Sequence, residues 1–130
     1  MLVLYVEDNA MNSRVMKDML LVAGVEMSEA PEAFSGLRMI GEHQYDLILM
    51  DLRMPGMDGV EAIQHIRARD DSKSGVPVIV VTADMGADIR DNCMKAGADD
   101  VLRKPVAMNE LFDCMGRVLA SKSQNGATLA

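Results

Sequence analysis

The sequence predicts one α/β domain: a parallel, doubly wound sheet of five strands alternating with five helices. Three observations predict it. Leu2-Val3-Leu4-Tyr5-Val6, Asp46-Leu47-Ile48-Leu49-Met50-Asp51 and Val76-Pro77-Val78-Ile79-Val80-Val81 carry apolar runs without polar alternation, as strands buried on both faces do. Helical periodicities separate them, and glycines such as Gly24 and Gly97 close the helices. The chain has 130 residues, enough for a single core, with no internal repeat and no break in composition.

The elements follow in order. The first strand is Leu2 to Val6, followed by Glu7-Asp8 and by Asn9, a helix N-cap residue. A helix over Met11 to Ala23 places Met16, Met19, Leu20 and Ala23 toward the core. Met11, Val15, Asp18 and Val22 form a second stripe turned about 100° away. Val25 to Ala30 is a weaker strand nearer an edge, and Pro31 suits the first turn of a helix running to about Glu42. The central strand ends on Asp51 and leads into the turn Pro55-Gly56. Asp58-Gly59-Val60-Glu61 has the pattern of a capped helix start, and that helix runs from about Gly59 to Arg69. A polar loop, Asp70 to Gly75, precedes the fourth strand, which ends at Thr82. The fourth helix is expected over Gly86 to Ala96, the last strand over Asp99 to Arg103, and the last helix over Ala107 to Ala120. Residues 1–120 form the domain, and 121–130 read as a polar, disordered tail.

Composition excludes several function classes. The net charge is −7 and the pI about 4.7, which argues against direct nucleic-acid binding because phosphate contacts need a basic patch. No run approaches the roughly 20 apolar residues of a membrane span. No basic segment precedes the first strand, so no signal peptide is expected and the location expected is cytoplasmic. Cys93 and Cys114 lie in helical patterns and are expected as reduced, packed thiols. The thirteen methionines read mainly as core filler. His43 and His65 receive no role.

The chemistry sits at the strand ends. Glu7 and Asp8 follow the first strand, Asp51 ends the third, Thr82 the fourth, and Lys104 follows the fifth. Singly these are an acidic turn, a strand-end cap, a loop hydroxyl and a solvated lysine. In a parallel sheet they converge on one edge, where ligands of open α/β sheets bind. Three gathered carboxylates repel one another unless a cation joins them, and oxygen ligands with room for water suit Mg²⁺. A lysine and a hydroxyl opposite suit an anion such as a phosphoryl group, and an Asp carboxylate can be the nucleophile that accepts one.

Val6-Glu7-Asp8-Asn9, Met50-Asp51-Leu52-Arg53-Met54-Pro55-Gly56-Met57-Asp58-Gly59, Val81-Thr82-Ala83 and Lys104-Pro105 together resemble the motif set of two-component response-regulator receiver domains. The resemblance covers about residues 2 to 120, each motif after the right strand. It implies a flavodoxin-like (βα)5 fold with strand order 2-1-3-4-5. It implies Asp51 as phosphoacceptor, with Mg²⁺ (or Mn²⁺) held by Glu7, Asp8, Asp51 and the Arg53 main-chain carbonyl. Lys104 would pair with the phosphoryl group, Thr82 would hydrogen-bond it, and the Lys104-Pro105 bond would be cis. The partners implied are a histidine kinase or a histidine phosphotransfer protein, together with a downstream protein. The Glu7-Asp8-Asn9 opening with Asn12 is most similar to receivers of hybrid histidine kinases and some single-domain regulators. Met11, Val15 and Val22 of the second stripe, with Pro105 and Val106, are the expected docking residues for the phosphohistidine partner. Arg53 and Asp84 are expected to flank the phosphoryl group and to pair.

Two positions depart from the pattern. Val101 stands where receivers usually carry a switch aromatic, and Ala107 stands where a capping residue usually opens the last helix, leaving Asn109 as a substitute cap. Other function classes fit less well. A phosphatase with an Asp nucleophile usually places a second Asp two residues on, and here that residue is Arg53. A flavin-binding flavodoxin needs a Ser/Thr/Gly-rich loop after the first strand, where Glu7-Asp8 would repel the phosphate.

Overall fold

A computed structural model describes residues 1–84 and 86–129, with side chains described through residue 122. The strands are β1 (Leu2–Val6), β2 (Glu26–Ala30), β3 (Leu47–Asp51), β4 (Val78–Thr82) and β5 (Asp100–Arg103). The helices are α1 (Ala10–Val22), α2 (Ala33–Glu42), α3 (Gly59–Arg67), α4 (Ile89–Ala96) and α5 (Met108–Leu129). All strand pairs are parallel, in the order β2-β1-β3-β4-β5.

The unbroken apolar runs have a direct cause. Along a strand, successive side chains point to opposite faces. Val3, Tyr5, Leu47, Leu49, Ile79 and Val81 pack on α1 and α5 through Met16, Leu20, Leu111 and Met115. Leu4, Val6, Ile48, Met50, Val78 and Val80 pack on α2, α3 and α4 through Ala33, Ile40, Ile63, Ile66 and Cys93. Every residue of β3 and β4 is buried, so neither strand has a solvent face on which to alternate. Both cysteines are free and buried.

Local signals set most boundaries. Asn9 Oδ1 accepts from Asn12 N at 3.0 Å and opens α1. Asp58 Oδ1 accepts from Glu61 N at 2.9 Å and opens α3. Gly24 and Gly97 end their helices at φ 72° and 117°, in the left-handed region that favours glycine. At Gly97 space also matters, because a Cβ there would lie 2.6 Å from Arg67 Cγ.

Several sequence expectations are corrected. Pro31 is not in the first turn of α2: Glu32 is the N-cap, its carboxylate accepting from Ser35 N at 2.9 Å. Ala23 is exposed as the C-cap of α1, while Ser13 is buried in its place. The fourth helix starts at Ile89 rather than Gly86; the Gly86 carbonyl accepts from Ile89 N in a turn before the helix. The loop 70–75 contains a 3₁₀ turn, Ser72–Gly75. The last helix runs past Ala120 to Leu129, because nothing in residues 121–129 except Gly126 disfavours helix strongly. The expected tail otherwise lies outside the residues whose side chains are described.

Candidate functional site

The carboxyl ends of β1, β3, β4 and β5 bring the predicted residues together. Glu7 is buried directly after β1, its backbone N–H held by the Ala30 carbonyl at 3.0 Å. Asp51 is the buried last residue of β3, and Thr82 the buried last residue of β4. Asp8 is exposed at the rim. Glu7, Asp8 and Asp51 each offer a carboxylate oxygen within 4.8 Å of the others. Lys104 follows β5 across a cis bond to Pro105, and its Nζ lies 2.7 Å from Glu7 Oε2 and 3.4 Å from Asp51 Oδ1. A cavity of about 320 Å³ opens over Asp51, lined by Arg53, Thr82, Ala83, Asp84 and Lys104. A wider groove of about 550 Å³ lies alongside between α3 and α4, but its lining from Leu52 to Cys93 includes none of the three clustered carboxylates, so the chemistry belongs to the smaller cavity.

The electrostatics separate the two inner carboxylates. Burial pushes Asp51 up to about 6, the Glu7 charge adds to that, and Lys104 opposes it. Burial also raises Glu7, but the hydrogen bond and charge of Lys104, with donors from Asn9 and Asn12, outweigh it and hold Glu7 below its ordinary value. The site thus contains one well-stabilised carboxylate and one destabilised one. A cation relieves the strain on the second, and oxygen donors at this spacing fit a hard divalent ion.

Arg53 and Asp84 meet as expected: Arg53 Nε donates to Asp84 Oδ2 at 2.8 Å, and Nη2 donates to the same oxygen. Thr82 Oγ1 accepts from Asp84 N at 3.0 Å. Met11, Val15 and Val22 are exposed on α1. Val15, Pro105 and Val106 share a groove of about 390 Å³ with Asn12 and Lys104, and Met11 and Val22 lie outside it. Val101 is buried on the face that packs against α2, α3 and α4. Asn109 is the second residue inside α5 and does not cap it; the Ala107 carbonyl accepts from Leu111 N.

Sequence reading assigned no part to Tyr5 and Arg67. Tyr5 OH donates to Glu7 Oε2 at 3.1 Å. The signal for it was the period of two, which puts Tyr5 and Glu7 on one side of the strand. Arg67 fastens α3 to the neighbouring loops, donating to the Gly97, Ser74 and Val76 carbonyls and to Asp99. No local pattern announces contacts at such separations.

Such a carboxylate, lysine and hydroxyl edge on a doubly wound sheet has the donors and acceptors to hold a hard divalent cation and an anion side by side. The model of the response regulator receiver domain family matches residues 3–115. The chain belongs to that family and is a phospho-accepting signalling receiver. It is 35% identical over 111 residues to the autoinducer 2 sensor kinase/phosphatase LuxQ of Vibrio parahaemolyticus and 32% identical to the sensor protein GacS of Pseudomonas syringae. The matches cover 85% and 84% of this chain but 13% and 12% of those relatives. The receiver domain of a sensor histidine kinase from Pseudomonas aeruginosa, solved with magnesium in its active-site cleft, is similar in structure. Its TM-score is 0.83 at 36% identity, with 92% of this chain and 97% of that one covered. Among the described residues no helix is long and apolar enough to cross a membrane.

Proposed function

We propose that Asp51 is the residue that accepts the phosphoryl group, from a phosphohistidine of a kinase or histidine phosphotransfer protein, in a reaction that needs Mg²⁺ or Mn²⁺. The observation that carries this reading is the placement of Asp51. It ends the central strand, is raised by burial and Glu7, and lies within reach of two further carboxylates and of Lys104. Glu7, Asp8, Asp51 and the Arg53 main-chain carbonyl would hold the ion. When bound, the ion supplies positive charge that relieves carboxylate repulsion and neutralises phosphoryl oxygens. An Asp51 carboxylate oxygen attacks phosphorus, the P–N bond breaks, and the donor imidazole leaves with the electron pair. Lys104 Nζ turns from the carboxylates to a phosphoryl oxygen, and the Thr82 hydroxyl donates to another.

The donor docks, on this reading, over Met11, Val15, Val22, Pro105 and Val106. The protein acts in the cytoplasm as a receiver that catalyses only its own phosphorylation and dephosphorylation. The phosphorylated state then changes affinity for a downstream protein partner, without direct nucleic-acid contact. The phosphatase reading is disfavoured because the residue two after Asp51 is Arg53, engaged with Asp84 rather than placed as a general acid. Incubation with a small phosphodonor and Mg²⁺ should add the mass of one phosphoryl group, and a chelator should abolish the gain. Continuous turnover of donor without a phosphorylated protein would favour the phosphatase instead.

Arg53 and Asp84 pair and both line the cavity over Asp51, where on this reading they bridge its mouth. Hydrolysis of an aspartyl phosphate needs water in line with the leaving oxygen, and a bridge there obstructs that approach. Arg53→Ala and Asp84→Ala should each hasten loss of the phosphoryl group, by about two- to five-fold for an exposed pair. The double variant should be no faster than the singles. Dephosphorylation followed by mass in excess Mg²⁺ checks this, and unchanged rates in both singles would discard it.

A further inference from the structure

Thr82 is buried at the end of β4, and its main chain is held there by a hydrogen bond from Lys104 N to its carbonyl at 2.9 Å. The side-chain torsion χ1 is left to choose where the hydroxyl points, among the staggered positions. A local hydrogen bond makes that choice: Thr82 Oγ1 accepts from the main-chain N–H of Asp84 at 3.0 Å. A hydroxyl that accepts through its oxygen keeps its own proton to give. Thr82 lines the cavity over Asp51, where that proton has a use. The N–H that holds it has a tether of its own. The Asp84 carboxylate accepts from Arg53 Nε at 2.8 Å and from Nη2 of the same guanidinium, on the segment that follows β3. Asp84 thus joins two strand ends. Its N–H serves Thr82 of β4, and its carboxylate serves the segment after β3.

We propose that Asp84 is a positioning residue for Thr82: its N–H holds the hydroxyl oxygen in a rotamer that leaves the proton free for the phosphoryl group arriving on Asp51. The inference rests on Thr82 serving that group. The Asp84 N–H and a phosphoryl oxygen do not compete for the hydroxyl, because one uses its lone pair and the other its proton. A donor set before the reaction costs no reorganisation as charge develops on the phosphoryl oxygens. Arg53 acts one step further out: by holding the carboxylate, it fixes where residue 84 carries its N–H. An amide side chain at 84 still accepts from Arg53, whereas a methyl group does not. Once bound, the phosphoryl group holds the hydroxyl itself. The presetting therefore speeds gain of the group, while the rate of loss still reads the Arg53–Asp84 pair beside the cavity.

Asp84→Asn and Asp84→Ala both remove the charge, but asparagine keeps an acceptor for Arg53, so comparing the two separates position from electrostatics. Two measurements use this pair, with Thr82 present and in Thr82→Val. The first is hydrogen exchange at the residue-84 amide, relative to its intrinsic rate, with a chelator present and no phosphodonor. Exchange should be about ten-fold faster in Thr82→Val and in Asp84→Ala than in the wild-type chain, and within about three-fold of it in Asp84→Asn. Wild-type protection in Asp84→Ala would overturn the proposal. The second is the labelling rate with a small phosphodonor and saturating Mg²⁺. With Thr82 present, Asp84→Asn should label about five-fold faster than Asp84→Ala; in Thr82→Val the two should agree within about two-fold. Equal rates with Thr82 present, or a gap that survives in Thr82→Val, would overturn the proposal while the wild-type chain still labels. A wild-type chain that takes no label would overturn the phosphoacceptor reading and this inference with it.

Discussion

Asp51→Asn should take no phosphoryl group from any donor, yet fold more stably than the wild-type chain near neutral pH. The loss follows from the amide, which is too poor a nucleophile to replace the carboxylate. The stability gain follows from the burial of Asp51 and its proximity to Glu7. These raise its carboxyl from 3.8 to about 6. Between those values the folded chain holds a proton that the unfolded chain has lost. Stability from this group is therefore fullest below about pH 4 and falls as pH rises through about 6. Asparagine carries no charge, so its advantage is greatest above that range and fades as pH drops toward 4. A shift of this size corresponds to an upper bound of about 3 kcal/mol, at about 1.4 kcal/mol per unit. Urea unfolding in chelator, at about pH 7.5 and about pH 4.5, reads the difference. An equal effect at both pH values would contradict the electrostatic cause.

Gly59→Ala should damage both fold and site. Gly59 opens α3, and its N–H donates to the Leu52 carbonyl at 2.8 Å. A Cβ at this position would stand 2.4 Å from the Asp51 carbonyl oxygen and 2.9 Å from Leu52 Cα. Both are backbone atoms of the segment that carries the phosphoacceptor, so no side-chain rotation makes room. The end of β3 or the start of α3 must shift. Overpacking against rigid neighbours typically costs about 1–3 kcal/mol, and backbone on both sides puts this case at the upper end. The labelling rate should fall with stability, because the displaced atoms set where Asp51 points. Gly116→Ala is the control: a Cβ there meets nothing within 4 Å, and alanine favours helix, so stability should rise by up to about 1 kcal/mol. Unfolding curves that rank the two variants the other way would show that the close approach at Gly59 is relieved at little cost.

The central strands were legible in the sequence because β3 and β4 are buried on both sides and nothing interrupts their apolar runs. The strand-end residues were legible for a related reason. Once the strands are placed, a parallel sheet puts their carboxyl ends on one edge, and Glu7, Asp8, Asp51, Thr82 and Lys104 follow. Boundaries set by a local side-chain cap, at Asn9 and Asp58, could also be read. The start of α4 could not, because its N-cap, Asp88, makes no side-chain capping bond and gives no local signal. Pro31 misled because proline suits either the first turn or the residue before the cap, and the Glu32 carboxylate decided between them. The role of Arg67 and the contact of Lys104 with Glu7 depend on partners brought near by the fold. Lys104 reaches Glu7 across 97 positions of the chain, and Arg67 reaches Gly97 across 30.

The most direct test is to map the label on the wild-type chain. The chain is treated with a small phosphodonor and Mg²⁺, digested after arginine and lysine, and the peptide spanning 39–53 is fragmented. That peptide carries both Asp46 and Asp51, so fragmentation must place the group. The account predicts one phosphoryl group, on Asp51, absent when a chelator is present. A group on Asp46 or on any other residue, or labelling that persists in the chelator, would contradict it.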